Sequence, residues 1–202
     1  MEVVIARHGE TEWSRDKRHT GLTDIPLTDT GREQARALAR SLAGRAFAAV
    51  LSSPLSRAAE TCRLAGLEPE LDGDLVEWDY GAYEGITTDE IRRKRPGWVL
   101  WRDGCPHGED AAAVGARADR VIARIQALDA EVAVFAHGHV LRVLAARWLG
   151  LGPEAGALLA LDTATLSTLG YERETPVVRR WNVAANSRPD APIAPSRASS
   201  AS

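Results

Sequence analysis

The feature that most constrains the fold of this chain is the alternation of short apolar runs with segments of helical periodicity. Three apolar runs have the composition of buried strands, at residues 3–5, 47–51 and 132–136. Amphipathic helices are predicted between them, at about residues 28–42 and 109–128. This alternation is typical of an α/β fold. We therefore expect a three-layer αβα sandwich with a mostly parallel central sheet and one antiparallel edge, near residues 166–181.

The length and composition are those of a single domain. The chain has 202 residues, of which 45% are hydrophobic and 26% are charged, as expected for a globular protein with its own core. Residues 1–186 are predicted to form this domain. Residues 187–202 are dominated by Pro, Ser and Ala without periodicity, which predicts a disordered C-terminal tail.

Charge and cysteine content exclude several classes of partner. The net charge is −3, whereas a nucleic-acid-binding domain is usually basic, so no nucleic-acid partner is expected. No apolar stretch approaches the ~18 residues needed to span a bilayer, so no membrane association is expected. The two cysteines, Cys62 and Cys105, form no CxxC motif, which fits a reducing, cytoplasmic location.

The first apolar run ends in the tripeptide Arg7-His8-Gly9. A strand that ends in this way places a cation and an imidazole at the carboxyl edge of the sheet, where open α/β sheets bind their ligands. Gly9 allows the backbone to turn sharply or to approach a bound anion. By itself the tripeptide is a weak signal, because a histidine with a purely structural role is common.

Two further segments lead to the same edge of the predicted sheet. Arg57 lies in the first turn of the helix after the second apolar run, and His137 directly follows the third. Because the carboxyl ends of parallel strands meet at one edge, both side chains should lie near Arg7 and His8. Two guanidinium groups and two imidazoles form a positive pocket, which suits a small dianion such as phosphate.

These residue types predict transfer of a phosphoryl group to His8. Cations spread the charge of the phosphate, and a neutral imidazole then attacks phosphorus to form a phosphohistidine. A carboxylic acid must protonate the leaving oxygen. Glu77 is the best candidate, because two flanking aromatic residues would partly desolvate it and favour its protonated form. The residues alone do not separate Glu77 from Asp79 or Glu84.

Several motifs in collinear order resemble the histidine phosphatase superfamily, the phosphoglycerate mutase-like group. They extend over about residues 2–182 and comprise Arg7-His8-Gly9-Glu10-Thr11, Thr20-Gly21-Leu22-Thr23-Asp24, Ser52-Ser53-Pro54 with Arg57, Glu77 with Tyr80-Gly81, and His137-Gly138. The resemblance implies an α/β sandwich, a phosphohistidine at His8, and Glu77 as the proton donor. It also implies a phosphate pocket of Arg7, Arg57 and His137, with no cofactor and no metal ion.

Within this group the motifs favour a phosphatase over a mutase. A cofactor-dependent mutase carries a second Arg where Asp103 stands and a Lys about where Thr88 stands. Residues 77–81, 101–105 and 137–139 instead resemble the branch that holds fungal sedoheptulose bisphosphatase and actinobacterial acid phosphatases. The resemblance implies a set of substrate-binding residues, namely Ser14, His19, Thr20, Gly21, Tyr80, Arg102, Gly138 and His139.

Simpler interpretations remain open for some of these residues. Arg102 could pair with Asp103 or Glu109 on the surface, and His139 could pack in the core or cap a helix. His137 and His139 could also suggest a metal site. The intervening glycine and the predicted start of a helix disturb that geometry, and no acid cluster supports it.

The sequence therefore predicts a cytoplasmic, metal-independent phosphatase that acts on small phosphorylated metabolites, with sugar phosphates and bisphosphates as the favoured class. The alternatives are a cofactor-dependent phosphoglycerate mutase, a metallohydrolase and a catalytically silent phosphate-binding module. The second half of the predicted sheet is exposed enough to support a homodimer.

Overall fold

The computed structural model describes residues 1–185. The predicted tail, residues 187–202, lies outside the described residues, as does residue 186 of the predicted domain. Six strands form one sheet: β1 (Val3–Arg7), β2 (Ala49–Ser52), β3 (Glu70–Leu71), β4 (Val132–Ala136), β5 (Thr165–Glu172) and β6 (Thr175–Ala184). Their order across the sheet is β3-β2-β4-β1-β5-β6.

The sheet is parallel on one side and antiparallel at the other edge. β4 lies between β1 and β2 and is parallel to both, with Ile5 and Leu51 each paired to Val134. β3 continues the parallel side, whereas β5 is antiparallel to β1 and β6 is antiparallel to β5. The predicted α/β class, with a mostly parallel sheet and one antiparallel edge, is confirmed.

Seven helices flank the sheet within the part of the chain that the structure describes: α1 (Glu12–Arg15), α2 (Asp29–Leu42), α3 (Ser56–Leu64), α4 (Thr88–Lys94), α5 (Leu100–Asp103), α6 (Ala111–Leu128) and α7 (Gly138–Trp148). Short 3₁₀ turns occupy residues 73–75, 81–83 and 153–158. No helix among the described residues combines the length and the apolar character needed to cross a membrane.

Side chains of β1 alternate between two hydrophobic layers, as the two-residue period of a strand requires. Val3 and Ile5 belong to one core, together with the buried faces of α6 and α7. Val4 and Ala6 belong to the other, together with residues of α2 and α3. The two cores lie on opposite faces of the sheet and produce three layers.

Local chemistry sets the ends of several elements. The Thr28 side chain accepts the N–H of Gly31 and caps α2. Strand β3 is only two residues long, because the Asp72 carboxylate accepts the N–H of Asp74 and turns the chain into a 3₁₀ helix. The long connection from residue 76 to residue 108 contains both α4 and α5.

Candidate active site

A cavity of about 280 Å³ opens where β1 and β4 end. These strands are parallel neighbours, so Arg7 at the end of β1 lies beside Ala136 at the end of β4. The lining residues are Arg7, His8, Ser14, Lys17, Arg18, His19, Thr20, Glu77, Tyr80, Gly138, His139, Arg142 and Leu161.

His8 is held rigidly at this edge and is only 4% exposed. Its backbone N–H donates to the Ala136 carbonyl at 3.0 Å, which extends the pairing of β1 with β4 by one residue. Its Nδ1 lies 2.7 Å from the Gly9 carbonyl oxygen. Because a carbonyl can only accept, Nδ1 carries the ring proton, and the lone pair is on Nε2.

The position of Gly9 depends on close backbone packing. Its N–H donates to Thr61 Oγ1 at 3.0 Å. A Cβ atom on Gly9 would lie 2.3 Å from the carbonyl oxygen of Gly31, in the first turn of α2. Glycine is therefore required where the loop after β1 meets α2, and this contact fixes the carbonyl that orients His8.

The surroundings of His8 favour its neutral form. Burial lowers the pKa of His8 well below its usual range, and the positive charges of Arg57 and Arg7 lower it further. The hydrogen bond to Gly9 opposes this shift as a smaller effect. At neutral pH the imidazole is therefore uncharged, as a nucleophile must be.

Arg57 and His137 lie beside His8 but not on the cavity lining. The ring centroids of His8 and His137 are 5.2 Å apart. Arg57 Nε donates to His137 Nδ1 at 3.1 Å, and the other guanidinium nitrogens donate to the carbonyls of Thr23 and Gly21. The structure thus brings both residues to the predicted edge, where they lie fully buried.

Arg7 presents an unpaired donor at the cavity. One terminal nitrogen donates to the Leu161 carbonyl at 2.5 Å. Its buried Nε has no hydrogen-bond partner among residues 1–185. The guanidinium packs against the start of α7, where a Cβ atom on Gly138 would lie 3.3 Å from Arg7 Cζ. A buried N–H without an acceptor is costly, so this donor suits an anionic ligand.

Glu77 is the carboxylate that lines the cavity. Oε1 accepts the N–H groups of Trp78 and Val140 at 2.9 Å, and Oε2 accepts that of His139 at 3.0 Å. His139 and Val140 belong to the first turn of α7, so the carboxylate is held at the positive end of that helix.

The two carboxylates that the sequence left as alternatives lie elsewhere. Asp79 accepts the N–H of Gly81, and Glu84 accepts that of Gly21. Neither lines the cavity. Of the three candidates, Glu77 is the one placed beside His8.

Aromatic and imidazole rings form one wall of the cavity. Tyr80 and His139 share a hydrogen bond, and the His139 ring centroid lies 5.3 Å from that of Trp101. His19 packs 4.6 Å from the Tyr80 ring and contacts Thr88 Oγ1 through Nε2 at 3.2 Å. Burial lowers the pKa of His19 to about 4. This wall is uncharged at neutral pH.

Most of the predicted substrate-binding residues line the cavity, namely Ser14, His19, Thr20, Tyr80, Gly138 and His139. Gly21 lies outside the lining, where its carbonyl and N–H bind Arg57 and Glu84. Arg102 is also outside the lining, because its guanidinium forks onto the carboxylate of Asp103 and reaches the Gly97 carbonyl. The structure therefore contains the surface pair of Arg102 with Asp103, which was one of the simpler interpretations of Arg102.

A family model, the histidine phosphatase superfamily (branch 1), matches residues 3–184. The chain belongs to the histidine phosphatase superfamily. It is 43% identical over 176 residues to an acid phosphatase of Mycobacterium tuberculosis, covering 84% of this chain and 86% of that protein. It is 40% identical over 184 residues to sedoheptulose 1,7-bisphosphatase of Saccharomyces cerevisiae, covering 74% and 68%. A solved structure of an open reading frame product from Mycobacterium tuberculosis superimposes with a TM-score of 0.86 at 39% identity, covering 91% of this chain and 98% of that one.

In this histidine phosphatase domain, the cavity also includes residues that the sequence interpretation did not single out, namely Lys17, Arg18, Arg142 and Leu161. Arg142 follows His139 by three residues in α7, so helical spacing places both on one face and could have indicated it. Leu161 contributes a backbone carbonyl to Arg7, which side-chain patterns do not reveal. Among the described residues, no group of three or more His, Cys, Asp or Glu side chains is arranged to hold a metal ion.

Proposed function

We propose that this protein is a phosphomonoesterase that hydrolyses small phosphorylated metabolites through a phosphohistidine at His8, without a metal ion. The observation that carries the proposal is the imidazole of His8. It is neutral, it is held through Nδ1 by Gly9, and its Nε2 lone pair lies at a cavity rich in cations. Relatives named as an acid phosphatase and a sugar bisphosphatase support the phosphatase activity.

Arg7 is proposed to bind the reacting phosphate. Its buried, unpaired Nε can donate to a phosphate oxygen. The charge of Arg57, whose guanidinium donates to the neutral His137 ring beside His8, favours the developing negative charge. Backbone carbonyls or neighbouring side chains hold each of these groups in place.

The reaction proceeds in two steps with balanced proton transfer. His8 Nε2 attacks phosphorus, the bond to the leaving oxygen breaks, and Glu77 donates a proton to that oxygen. Water then attacks the phosphohistidine as Glu77 takes up a proton, the phosphorus–nitrogen bond breaks, and inorganic phosphate leaves. His8 returns to its neutral form, so neither step consumes another reagent.

The proposal is tested by trapping the intermediate. Incubation with ³²P-labelled substrate and an alkaline quench should leave acid-labile label on the wild type and none on His8→Ala. His107→Asn is a matched control, since His107 is exposed and lies outside the cavity lining. The His8 substitution should lower kcat/KM for p-nitrophenyl phosphate by about three orders of magnitude or more. Full labelling of His8→Ala would overturn the assignment.

The same assay separates the remaining alternatives. A cofactor-dependent mutase would transfer phosphate between positions of its substrate when bisphosphoglycerate is supplied, rather than release it to water. A silent binding module would give no turnover with any phosphate ester. A metallohydrolase would lose activity to a chelator and regain it with a divalent ion.

A further inference from the structure

Residues 160–164, which connect the 3₁₀ turn at 153–158 to β5, contact the end of β1 in two places. The carbonyl of Leu161 accepts a hydrogen bond from the Arg7 guanidinium. The N–H of Ala164 is shared between the carbonyl oxygens of Arg7 and His8, at 3.2 and 3.1 Å. This connecting segment therefore binds both the side chain that is proposed to hold the phosphate and the backbone of the nucleophile.

Ala164 has an unfavourable backbone conformation. Its φ of 50° lies in the left-handed region, which a residue with a Cβ atom seldom adopts, and its side chain is buried. Strain of this kind persists only where the surrounding contacts fix it, and it concentrates at functional sites. The contacts that fix the connecting segment therefore bear on the geometry of Arg7 and His8.

Strand β6 supplies such contacts through two consecutive residues. The N–H of Asp162 donates to Oδ1 of Asn182 at 2.8 Å, and Nδ2 of Asn182 donates to Oδ2 of Asp162 at 2.8 Å. Trp181 donates from its indole Nε1 to the carbonyl of Ala160. Because an N–H can only donate and a carboxylate only accepts, the paired bonds also fix the orientation of the Asn182 amide. Leu161 thus lies between two residues that β6 binds.

Asn182 suits this contact in both its backbone and its side chain. Its φ is 57°, at a point where the pairing of β5 with β6 shifts register, and its N–H donates to Ser167 Oγ at 2.9 Å. Asparagine is one of the few residues other than glycine that adopt the left-handed conformation. An irregularity of this kind redirects a side chain, and here the amide reaches Asp162.

Asp162 also contributes its charge. Burial lowers the pKa of Arg7, and the negative charges of Glu77 and Asp162 are among those that oppose this shift. Asp162 does not line the cavity. It therefore stabilises the charged guanidinium from outside, while its backbone N–H ties the neighbouring Leu161 carbonyl to β6.

We propose that Asn182 is a positioning residue for Arg7, which it reaches through Asp162 and the Leu161 carbonyl. Asn182 lies on the antiparallel edge strand and outside the cavity lining. By fixing one terminal nitrogen of Arg7, the connecting segment keeps the unpaired Nε in place for a phosphate oxygen. This proposal rests on the proposed function, because it assumes that Arg7 binds the reacting phosphate.

The test exchanges the two polar residues. Asn182→Asp removes the amide donor and places two carboxylates together, so the pair should break. Adding Asp162→Asn restores one donor and one carboxylate in the reverse order. Calorimetric titration with inorganic phosphate should show the Kd rising about tenfold in Asn182→Asp and returning to within about threefold of the wild type in the double variant.

Two further measurements separate positioning from general stability. In an Arg7→Ala background, Asn182→Asp should weaken phosphate binding no further, because its effect passes through the missing guanidinium. Trp148→Phe is the matched control, since it removes a buried hydrogen bond from Trp148 Nε1 to the Gly170 carbonyl in β5. It should lower the free energy of unfolding but leave the Kd for phosphate unchanged.

A wild-type Kd in folded Asn182→Asp would overturn the proposal, and so would an equal loss of affinity with and without Arg7. If Asn182→Asp does not fold, Asn182→Gly serves instead, because glycine keeps the left-handed backbone and lacks the amide. It should show the same tenfold loss, and unchanged affinity would again overturn the proposal. None of these results bears on the phosphohistidine, which the labelling of His8 tests separately.

Discussion

The hydroxyl oxygen of Tyr80 lies 2.6 Å from Nδ1 of His139. Burial raises the pKa of Tyr80 well above its usual range, so the hydroxyl stays protonated. Its one hydrogen-bond partner among the described residues is Nδ1, so the hydroxyl donates this hydrogen bond and Nδ1 accepts it. Burial, reinforced by the charge of Arg142, lowers the pKa of His139 well below its usual range. The imidazole is therefore neutral with its proton on Nε2, and it offers the cavity an uncharged donor.

This pair predicts the tautomer of His139. ¹⁵N NMR of the histidine side chains should show His139 protonated on Nε2 in the wild type. Tyr80→Phe removes the donor to Nδ1, so the other tautomer should become populated, and the free energy of unfolding should fall by about 1–3 kcal/mol. Tyr83→Phe is the control, because the Tyr83 hydroxyl makes no hydrogen bond within the described residues. An unchanged His139 spectrum in Tyr80→Phe would contradict the assignment.

Glu77→Gln should affect substrates according to their leaving groups. Hydrolysis of a sugar phosphate needs a proton on an alkoxide, so kcat should fall by about 10²–10⁴-fold. Nitrophenolate leaves without a proton, so formation of the phosphoenzyme from p-nitrophenyl phosphate should remain fast. Its breakdown should be slow, because water then lacks a base. Stopped-flow measurement should show a burst of nitrophenol equal to the enzyme present. A uniform loss without a burst would exclude Glu77 as the proton donor.

Thr61→Val should weaken the support of His8. Thr61 Oγ1 accepts the N–H of Gly9, whose carbonyl in turn fixes the imidazole. Valine leaves this buried N–H unpaired, which should lower the free energy of unfolding by about 1–3 kcal/mol and reduce kcat more than it raises KM. Thr30→Val, at an exposed position of α2, should change neither quantity by a comparable amount. Denaturant unfolding and steady-state kinetics measure both. Wild-type kcat in Thr61→Val would show that this hydrogen bond does not position the nucleophile.

Stability should fall as the pH is lowered through about 6.5, the usual pKa of histidine in an unfolded chain. The folded protein lowers the pKa of four histidines, namely His8, His19, His137 and His139. The unfolded chain therefore binds more protons in this range, and acid favours it. His19, with a pKa of about 4, should account for about 2 kcal/mol between pH 8 and pH 5.

Urea unfolding between pH 5 and pH 8 tests this expectation. His19→Asn should lower the number of protons taken up on unfolding by about one, because the unfolded variant has one fewer histidine to protonate. His107→Asn is the matched control at an exposed position. If the free energy of unfolding depended on pH equally in His19→Asn and in the wild type, the assignment of a buried, neutral His19 would be contradicted.

The sequence was sufficient to bring Arg7, His8, Arg57 and His137 to one edge, because strand order and parallel pairing alone place the ends of β1, β2 and β4 side by side. It could not show that the Arg57 side chain donates a hydrogen bond to His137 next to His8. That arrangement depends on side-chain conformations and on the carbonyls of Thr23 and Gly21, which no residue pattern encodes.

Two charged residues illustrate the same limit. Arg102 stands next to Asp103, and its guanidinium donates two hydrogen bonds to the Asp103 carboxylate. These two donors are therefore not available to a ligand. Arg142 lies one helical turn from His139, but its approach to the cavity depends on where residues 153–158 pack. In both cases the position of the guanidinium depends on which neighbouring acceptors it reaches. The type and spacing of residues do not show which acceptors those are.

The first two turns of α7 carry two of the three N–H groups that hold Glu77, together with the guanidinium of Arg142. An α-helix advances by about 5.4 Å per turn, so a cation transferred to a neighbouring turn would change its distance from the Glu77 carboxylate by about that amount. The length of molecule that fits the cavity could thus change while the Glu77 carboxylate stays where it is. One helix would then set the length of the ligand through one turn and the position of the carboxylate through another.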